Sequence, residues 1–419
     1  MATINTVSTS ETMAVASVRT AVLRFVDWLD RYGELSHDHQ SFFASGLGRA
    51  AKALYYRKPL LGKLAVAPMI FSEAFVPSAR KLFFKPQRFP IADAHYAMGF
   101  AYLARALGSD KYYRRAVHFL EVLKESRCPG YANYCWGYPF HWETRRGTMR
   151  AGTPLITTLP YAYEAFLLVY EIDRDRKWLA IMESIAEHAH DDYHDLITSE
   201  NASSCSYNPD PDDPCGVINA SAYRAFLLTR ASLDFSREDY RRVADRNLIF
   251  VLESQNADGS WYYSNDGERD FVDHFHTCFV LKALAKIEAL TGNRRCTDAI
   301  ERGVDYYVKN LFDHEGLPKP FSRRPRLTVY RRELYDYAEC INVGVLLKGR
   351  FAKLDKIVSG VIEMKGWRKS DGSFRSRQLL LGWDNTPMHR WAQSQLFRGL
   401  CFFLFDGAGD IKSEFTGRR

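Results

Sequence analysis

In the run Asp273-His274-Phe275-His276-Thr277, side chains able to move protons stand together. Imidazole titrates near neutrality, so a His beside a carboxylate is suited to general-base work. On a helix His274 and His276 point in different directions, so at most one serves a common cleft. Similar company recurs in Tyr335-Asp336-Tyr337, in Asp384 with Asn385 and His389, and in Asp93 with His95. Two carboxylates drawn from such positions could act as acid and base on a glycosidic bond. Each Asp is equally what a helix start asks for, because its carboxylate satisfies free backbone N–H groups. Asp273, His276, Asp336, Tyr337, Asp384 and His389 form the candidate catalytic group.

A second set is built for contact. Tyr134-Cys-Trp136-Gly-Tyr138-Pro-Phe140-His141-Trp142-Glu143 is the densest aromatic stretch, and Arg145 and Arg146 follow it. Tyr and Trp offer a flat apolar face with a polar tip, which suits stacking on sugar rings. An Arg can clamp a carboxylate. The same stretch could instead fold back as its own hydrophobic lid. The candidate substrate-binding residues are Asp93, His95, Tyr134, Trp136, Tyr138, His141, Trp142, Arg145, Tyr207, Asn208, Trp261 and Tyr335. Tyr161, Tyr163 and Glu164 read as core, in which case Glu164 requires a buried partner.

No metal and no cofactor is expected. His190 and His194 share a helix face, but they end an amphipathic segment where the dipole and water both favour His. The 8 Cys are scattered without a C-x-x-C, and neither a G-x-G-x-x-G nor a Walker loop occurs.

Residues so far apart need a scaffold that gathers them, and a repeat supplies one. Apolar segments rich in Ala and aromatics start near Pro90, Pro154, Gly216, Phe271, Tyr335 and Asp384. One-sided, more polar segments follow at 112–126, 176–194, 237–253 and 296–311. The first kind reads as buried inner helices and the second as outer partners. The sixth inner segment lacks a partner before the chain ends, and the amphipathic stretch 14–32 can supply it. The expected fold is all-α, an α/α toroid of about six helical hairpins in a closed ring. Its expected organisation is an N-terminal helix and basic aromatic segment (1–89), the toroid (90–407) and a tail (408–419). In such a ring the inner-helix starts converge at one mouth.

The loops Gln255-Asn-Ala-Asp-Gly-Ser-Trp261 and Ser370-Asp-Gly-Ser-Phe374 resemble the Q-x-x-D-G-S-W loops of terpene cyclase and protein prenyltransferase toroids. The hairpin repeat is also similar to six-hairpin glycosidases, to glucuronyl C5-epimerase toroid domains and to toroid proteins of bacterial capsule and exopolysaccharide synthesis. The resemblance implies the fold and leaves the chemistry open, because toroids host hydrolases, lyases, epimerases, cyclases and scaffolds. Asp210-Pro-Asp212-Asp213 imitates the D-x-D-D acid motif of proton-initiated terpene cyclases, but it lies in a Pro-rich loop and is not read as that motif.

Composition narrows the partners. With 24 Tyr, 27 Phe and 8 Trp and a net charge of +7, the chain fits an anionic partner and lacks the basic tail of a nucleic-acid binder. The apolar run from Leu60 to Phe71 is broken by Gly62, Lys63 and Pro68, and it sits in a segment, 52–88, where Lys and Arg interleave with Tyr, Phe and Leu. This segment is either a peripheral contact with an anionic membrane surface or a cover over the toroid's base. The N-terminus lacks a secretory pattern, so a cytoplasmic location, peripheral at the inner membrane if the contact is real, is expected.

These readings combine into an enzyme that modifies or cleaves an anionic, uronic-acid-containing polysaccharide or oligosaccharide in cell-surface polysaccharide biosynthesis, by epimerisation, elimination or hydrolysis. The alternatives are a non-catalytic glycan-binding or assembly subunit of a polysaccharide-synthesis complex, and an isoprenoid-handling enzyme of terpene cyclase type.

Overall fold

The computed structural model describes residues 5–325, 328–363 and 366–407, with side chains from Ala14 onward. The expected tail, 408–419, lies outside the described residues. In chain order the helices are α1 (Asn5–Tyr32), α2 (Ser41–Ala44), α3 (Gly46–Arg57), α4 (Pro59–Phe75), α5 (Arg80–Phe83), α6 (Pro90–Leu107), α7 (Asp110–Glu125), α8 (Leu159–Asp173), α9 (Lys177–Asp191), α10 (Ile218–Asp234), α11 (Glu238–Glu253), α12 (His274–Thr291), α13 (Arg294–Asn310), α14 (Leu334–Leu347), α15 (Leu354–Glu363) and α16 (Ser394–Gly407).

Six of these, α6, α8, α10, α12, α14 and α16, form an inner ring. Each packs on the next, and α16 closes the circle against α6. Their apolar residues run around the whole helix because both flanks and the outer face are covered. At the closing seam Gly99 of α6 meets the Phe397 ring of α16, and a Cβ there would stand 2.6 Å from the ring. Outside lie α7, α9, α11, α13 and α15, each packed on the inner helix before it. Their polar faces meet solvent, which is why their apolar residues fall at three- and four-residue spacing. Helix α1 packs on α16 and α15 and is the outer partner that the sixth inner helix needed.

The loops between outer and inner helices carry the strands: β1 (Trp142–Thr144) with β2 (Gly147–Met149), β3 (Asp195–Ser199) with β4 (Ala202–Cys205), β5 (Val272–Asp273) with β6 (Phe321–Arg323), and β7 (Tyr330–Glu333) with β8 (Arg377–Leu379) and β9 (Trp383–Asp384), all antiparallel. Two inner helices start later than the apolar pattern predicts. A tight turn over Ile156–Thr158 precedes α8, so it begins at Leu159 rather than Pro154. Asp384 belongs to β9, and a wide helical turn, His389–Gln393, leads into α16.

Helices α3 and α4 form a separate hairpin beside β1, at the mouth of the ring and not over its base. Its two helices approach closely at Gly62, where a Cβ would stand 2.0 Å from the Tyr55 Cα.

Candidate active site

The mouth opens into a cleft of about 1280 Å³. Its floor is made by Tyr161, Tyr223, Phe279, Tyr335 and Gln395, each within the first two turns of its inner helix. The Tyr161 and Tyr223 hydroxyls share a hydrogen bond of 2.6 Å, and Gln395 Nε2 donates to Tyr335 Oη at 3.2 Å. Directly beneath, the buried Lys282 ammonium donates to Glu339 and, at 3.0 Å, to Tyr161 Oη. Arg398 stands 3.7 Å from Glu339. Burial pushes the Lys282 ammonium down to about 8, with Glu339 pulling the other way. Lys286 supplies the partner that Glu164 required. Three cations against two carboxylates leave a net positive layer under an aromatic floor, which favours an anionic occupant.

One wall carries the Asp–His pair that the sequence offered for proton transfer. The Asp273 carboxylate caps α12 by accepting from His276 N at 2.8 Å, and its other oxygen takes Nδ1–H of the His276 ring at 2.6 Å. The tautomer is assigned from that bond. Asp273 is buried, whereas the His276 side chain is 21% exposed and lines the cleft. The pair thus leaves Nε2 as the nitrogen offered to the cleft. Tyr263 packs edge-on against His276, with centroids 4.7 Å apart, and Arg269 lies 5.2 Å over the Tyr263 ring. His274 takes the opposite side of the helix, accepting from Tyr307 at 2.7 Å, and burial drives it down to about 3. The two-residue spacing separates them as a helix dictates.

Next to this wall Tyr335 and Trp391 stack at 4.7 Å, with Phe275 5.1 Å from Tyr335. Arg390 is held bidentate by the buried Asp38, at 2.9 and 2.7 Å, with its guanidinium 4.6 Å over Tyr138. The rim brings in Trp142, Arg145, Tyr207 and Asn208. Arg145 pairs with Glu268 across the opening, and Asp213 accepts from Tyr207 N and Asn208 Nδ2.

Of the expected residues, His276, Tyr335, Tyr138, Trp142, Arg145, Tyr207 and Asn208 therefore line one cleft, with Asp273 behind His276. The others do not reach it, for separate reasons. Asp384 is buried and paired with Arg80 at 2.8 Å, which also holds Glu73 at 3.0 Å. His389 accepts from Tyr96 Oη at 2.6 Å and donates to Gly33 O at 3.0 Å, so both ring nitrogens are committed. Asp93 pairs with Arg88, and burial pushes its carboxyl up to about 7. His95 lies below the floor against Tyr161, 4.5 Å between centroids. Asp336 is fully buried, with no hydrogen-bond partner on either oxygen among the described residues, and burial together with Glu333 and Asp273 raises its pKa well above the usual carboxylate range. Tyr337 packs outward on Trp367. Tyr134 stacks on Trp136, and exposed His141 accepts from Ala151 N.

Trp136 and Trp261 are structural in the same way. Each indole donates to the last turn of the outer helix before it, to Leu123 O at 2.7 Å and to Val251 O at 3.0 Å. The two D-G-S loops are closed on themselves as well: Ser260 donates to Asp258 and Ser373 to Asp371, both through N–H and Oγ. They staple the ring and stay out of the cleft. His190 and His194 have different partners, Asp191 and the Asp213 carbonyl.

Sequence reasoning missed Tyr223, Phe279, Tyr263, Arg269, Arg390, Trp391 and Gln395, and placed Tyr161 in the core. The available signal was an aromatic within the first two turns of successive inner helices. Arg390 and Trp391 carried none, because only the wide turn at 389–393 decides that His389 faces inward and its neighbours face the cleft.

No protein-family model matches the sequence, and no curated protein matches it. Solved structures do match in fold. They include the cellobiose 2-epimerase of Bacillus thermoamylovorans, with 12% identity and a TM-score of 0.60 over 76% of this chain and 88% of that one. An unsaturated glucuronyl hydrolase specific for heparin gives 10% identity and 0.61 over 94% and 97%. A glycoside hydrolase family 76 mannosidase of Bacteroides thetaiotaomicron gives 10% and 0.55 over 79% and 89%. The architecture that carries this cleft is thus the six-hairpin α/α toroid, the fold of sugar epimerases and glycoside hydrolases.

Proposed function

We propose that the protein is a carbohydrate-active enzyme acting on an anionic, uronic-acid-containing polysaccharide or oligosaccharide, and that its chemistry is proton abstraction at the carbon next to the carboxylate. The observation that carries this reading is the Asp273–His276 pair on the cleft wall, with Nε2 as the nitrogen offered to the cleft. His276 Nε2 takes the C5 proton, and the electron pair moves onto the sugar carboxylate. Arg390 and the positive layer beneath the floor favour the charge so formed. Return of a proton to the other face gives the epimer. Loss of the C4 substituent with its bonding pair instead gives a C4–C5 double bond. The floor tyrosines are held protonated by burial, which raises Tyr161, Tyr223 and Tyr335 well above the usual phenol range. They are the groups able to return the proton.

Hydrolysis by two carboxylates has less support. Asp93, Asp336 and Asp384 sit away from the cleft; of the rim acids, Asp210, Asp213 and Asp266 accept hydrogen bonds within their own loops, and Glu268 pairs with Arg145 across the opening. An isoprenoid substrate fits poorly with a cleft whose lining includes Arg145, Arg146, Arg150, Arg269 and Arg390.

Proton NMR in D2O with a panel of uronate and neutral glycans tests the proposal. Deuterium at C5 or new vinylic signals are expected with a uronate substrate. New reducing ends without deuterium would make the enzyme a hydrolase. Line broadening without turnover would make it a binding subunit.

A further inference from the structure

The α3–α4 hairpin is a surface element that the cleft does not explain. Most of the exposed large apolar side chains among the described residues fall in 47–83. Leu82 is 86% exposed, Leu60 80% and Leu64 73%, and Leu61, Phe71 and Phe75 are exposed with them. On α4 the inward stripe is only Gly62, Val66, Glu73 and Ala74, while Leu60, Leu64, Phe71 and Phe75 follow helical spacing along the outer face. Globular proteins rarely leave so continuous an apolar surface to water.

The exposed charge on the hairpin's own segment is all of one sign. Arg57, Lys58, Lys63, Lys81 and Lys85 are exposed beside it. The one carboxylate between Ser41 and Lys85, Glu73, is buried and paired with Arg80. Through Glu73, Arg80 and Asp384 the hairpin's base is tied to the ring, so it is a fixed part of the molecule. No single helix here is long and apolar enough to cross a membrane. At 17 residues, α4 is about 25 Å long. A helix that is apolar along one side and flanked by cations alone matches an anionic bilayer surface, with its leucines and phenylalanines among the acyl chains and its lysines at the headgroups.

We propose that the α3–α4 hairpin docks the protein on an anionic lipid bilayer, lying in the plane of the surface. Tyr56 of α3 lines the cleft and Lys52 lies 3.6 Å over the Trp142 ring, so the docked protein holds its cleft mouth beside the membrane. The proposal is independent of the reaction assigned to His276.

The test is co-sedimentation of the full chain with vesicles of phosphatidylcholine alone and of phosphatidylcholine with phosphatidylglycerol. Binding to the anionic vesicles is expected, weakened by salt. It should fall about tenfold or more in Lys58→Glu/Lys63→Glu and in Leu64→Glu/Phe71→Glu. All four positions are exposed, and an unchanged melting temperature confirms that the ring is intact. Absence of binding to the anionic vesicles, or binding that both double variants retain in full, overturns the proposal. So does a dimer, seen by light scattering without vesicle binding, that Leu64→Glu/Phe71→Glu dissociates, since the face would then belong to a second copy.

Discussion

Two parts of the ring use the same residue types for opposite ends. At the start of α12, Asp273 holds His276 by one nitrogen and presents the other to the cleft. At the seam where the ring closes, Asp384 is neutralised by Arg80, and His389 is bonded at both nitrogens to Tyr96 and Gly33. An Asp followed within one or two turns by a His describes both places. What separates them is whether the surrounding protein supplies every partner. A ring with both nitrogens bonded is stabilising and inert, whereas a ring with one nitrogen left over can work on something else.

The sharpest way to break this comparison is to remove both imidazoles. His276→Asn should lower turnover about 10²–10⁴-fold while leaving the melting temperature near wild type. His389→Asn should do the reverse. If both variants lose stability and keep proportional activity, the distinction fails. Comparable in free energy is Arg80→Met, which strands the buried Asp384 carboxylate and leaves Glu73 only Arg377 at 3.4 Å, and should cost about 3–5 kcal/mol of stability, read by denaturant unfolding.

Acid should act through the seam as well. His389 is pushed down from 6.5 to about 4, chiefly by burial, so the unfolded chain takes up its proton first as pH falls. Its contribution is therefore complete above 6.5 and is lost as pH falls through about 4, worth up to about 3 kcal/mol. Unfolding curves across that window should be steeper in pH for the wild type than for His389→Asn.

Smaller effects belong to the cleft. Trp391→Ala removes the ring stacked on Tyr335 and should raise KM about tenfold with less change in kcat. The smallest is Asp336→Asn. Because burial raises the folded pKa of this carboxyl, its favourable contribution is present below the unfolded value of 3.8 and is lost as pH rises through the folded one. The Asn variant should thus melt slightly higher at neutral pH and gain nothing in strong acid. A drop at neutral pH would mean that Asp336 has a charged partner.

Much of the ring was legible in the sequence because it follows from periodicity. Apolar all-round segments alternating with one-sided ones demand two concentric layers, and α1 filled the place left open by the sixth inner segment. The rim was partly legible, since Trp142, Arg145, Tyr207 and Asn208 stood in loops at the inner-helix starts. The floor was not. Tyr161 and Tyr223 look like core aromatics in their own helices, and they become a floor only because the ring leaves its axis open above them.

By itself the sequence determined the helices, their pairing and the end of the ring at which polar groups gather, because amphipathicity and capping act over a few residues. The tertiary structure alone decided which Asp and His are bonded on every side and which face the cleft. That depends on partners far away in the chain, such as Arg80 for Asp384, and Tyr96 and Gly33 for His389. A side chain is spare only when the fold declines to satisfy it, and no local pattern records what the rest of the fold supplies.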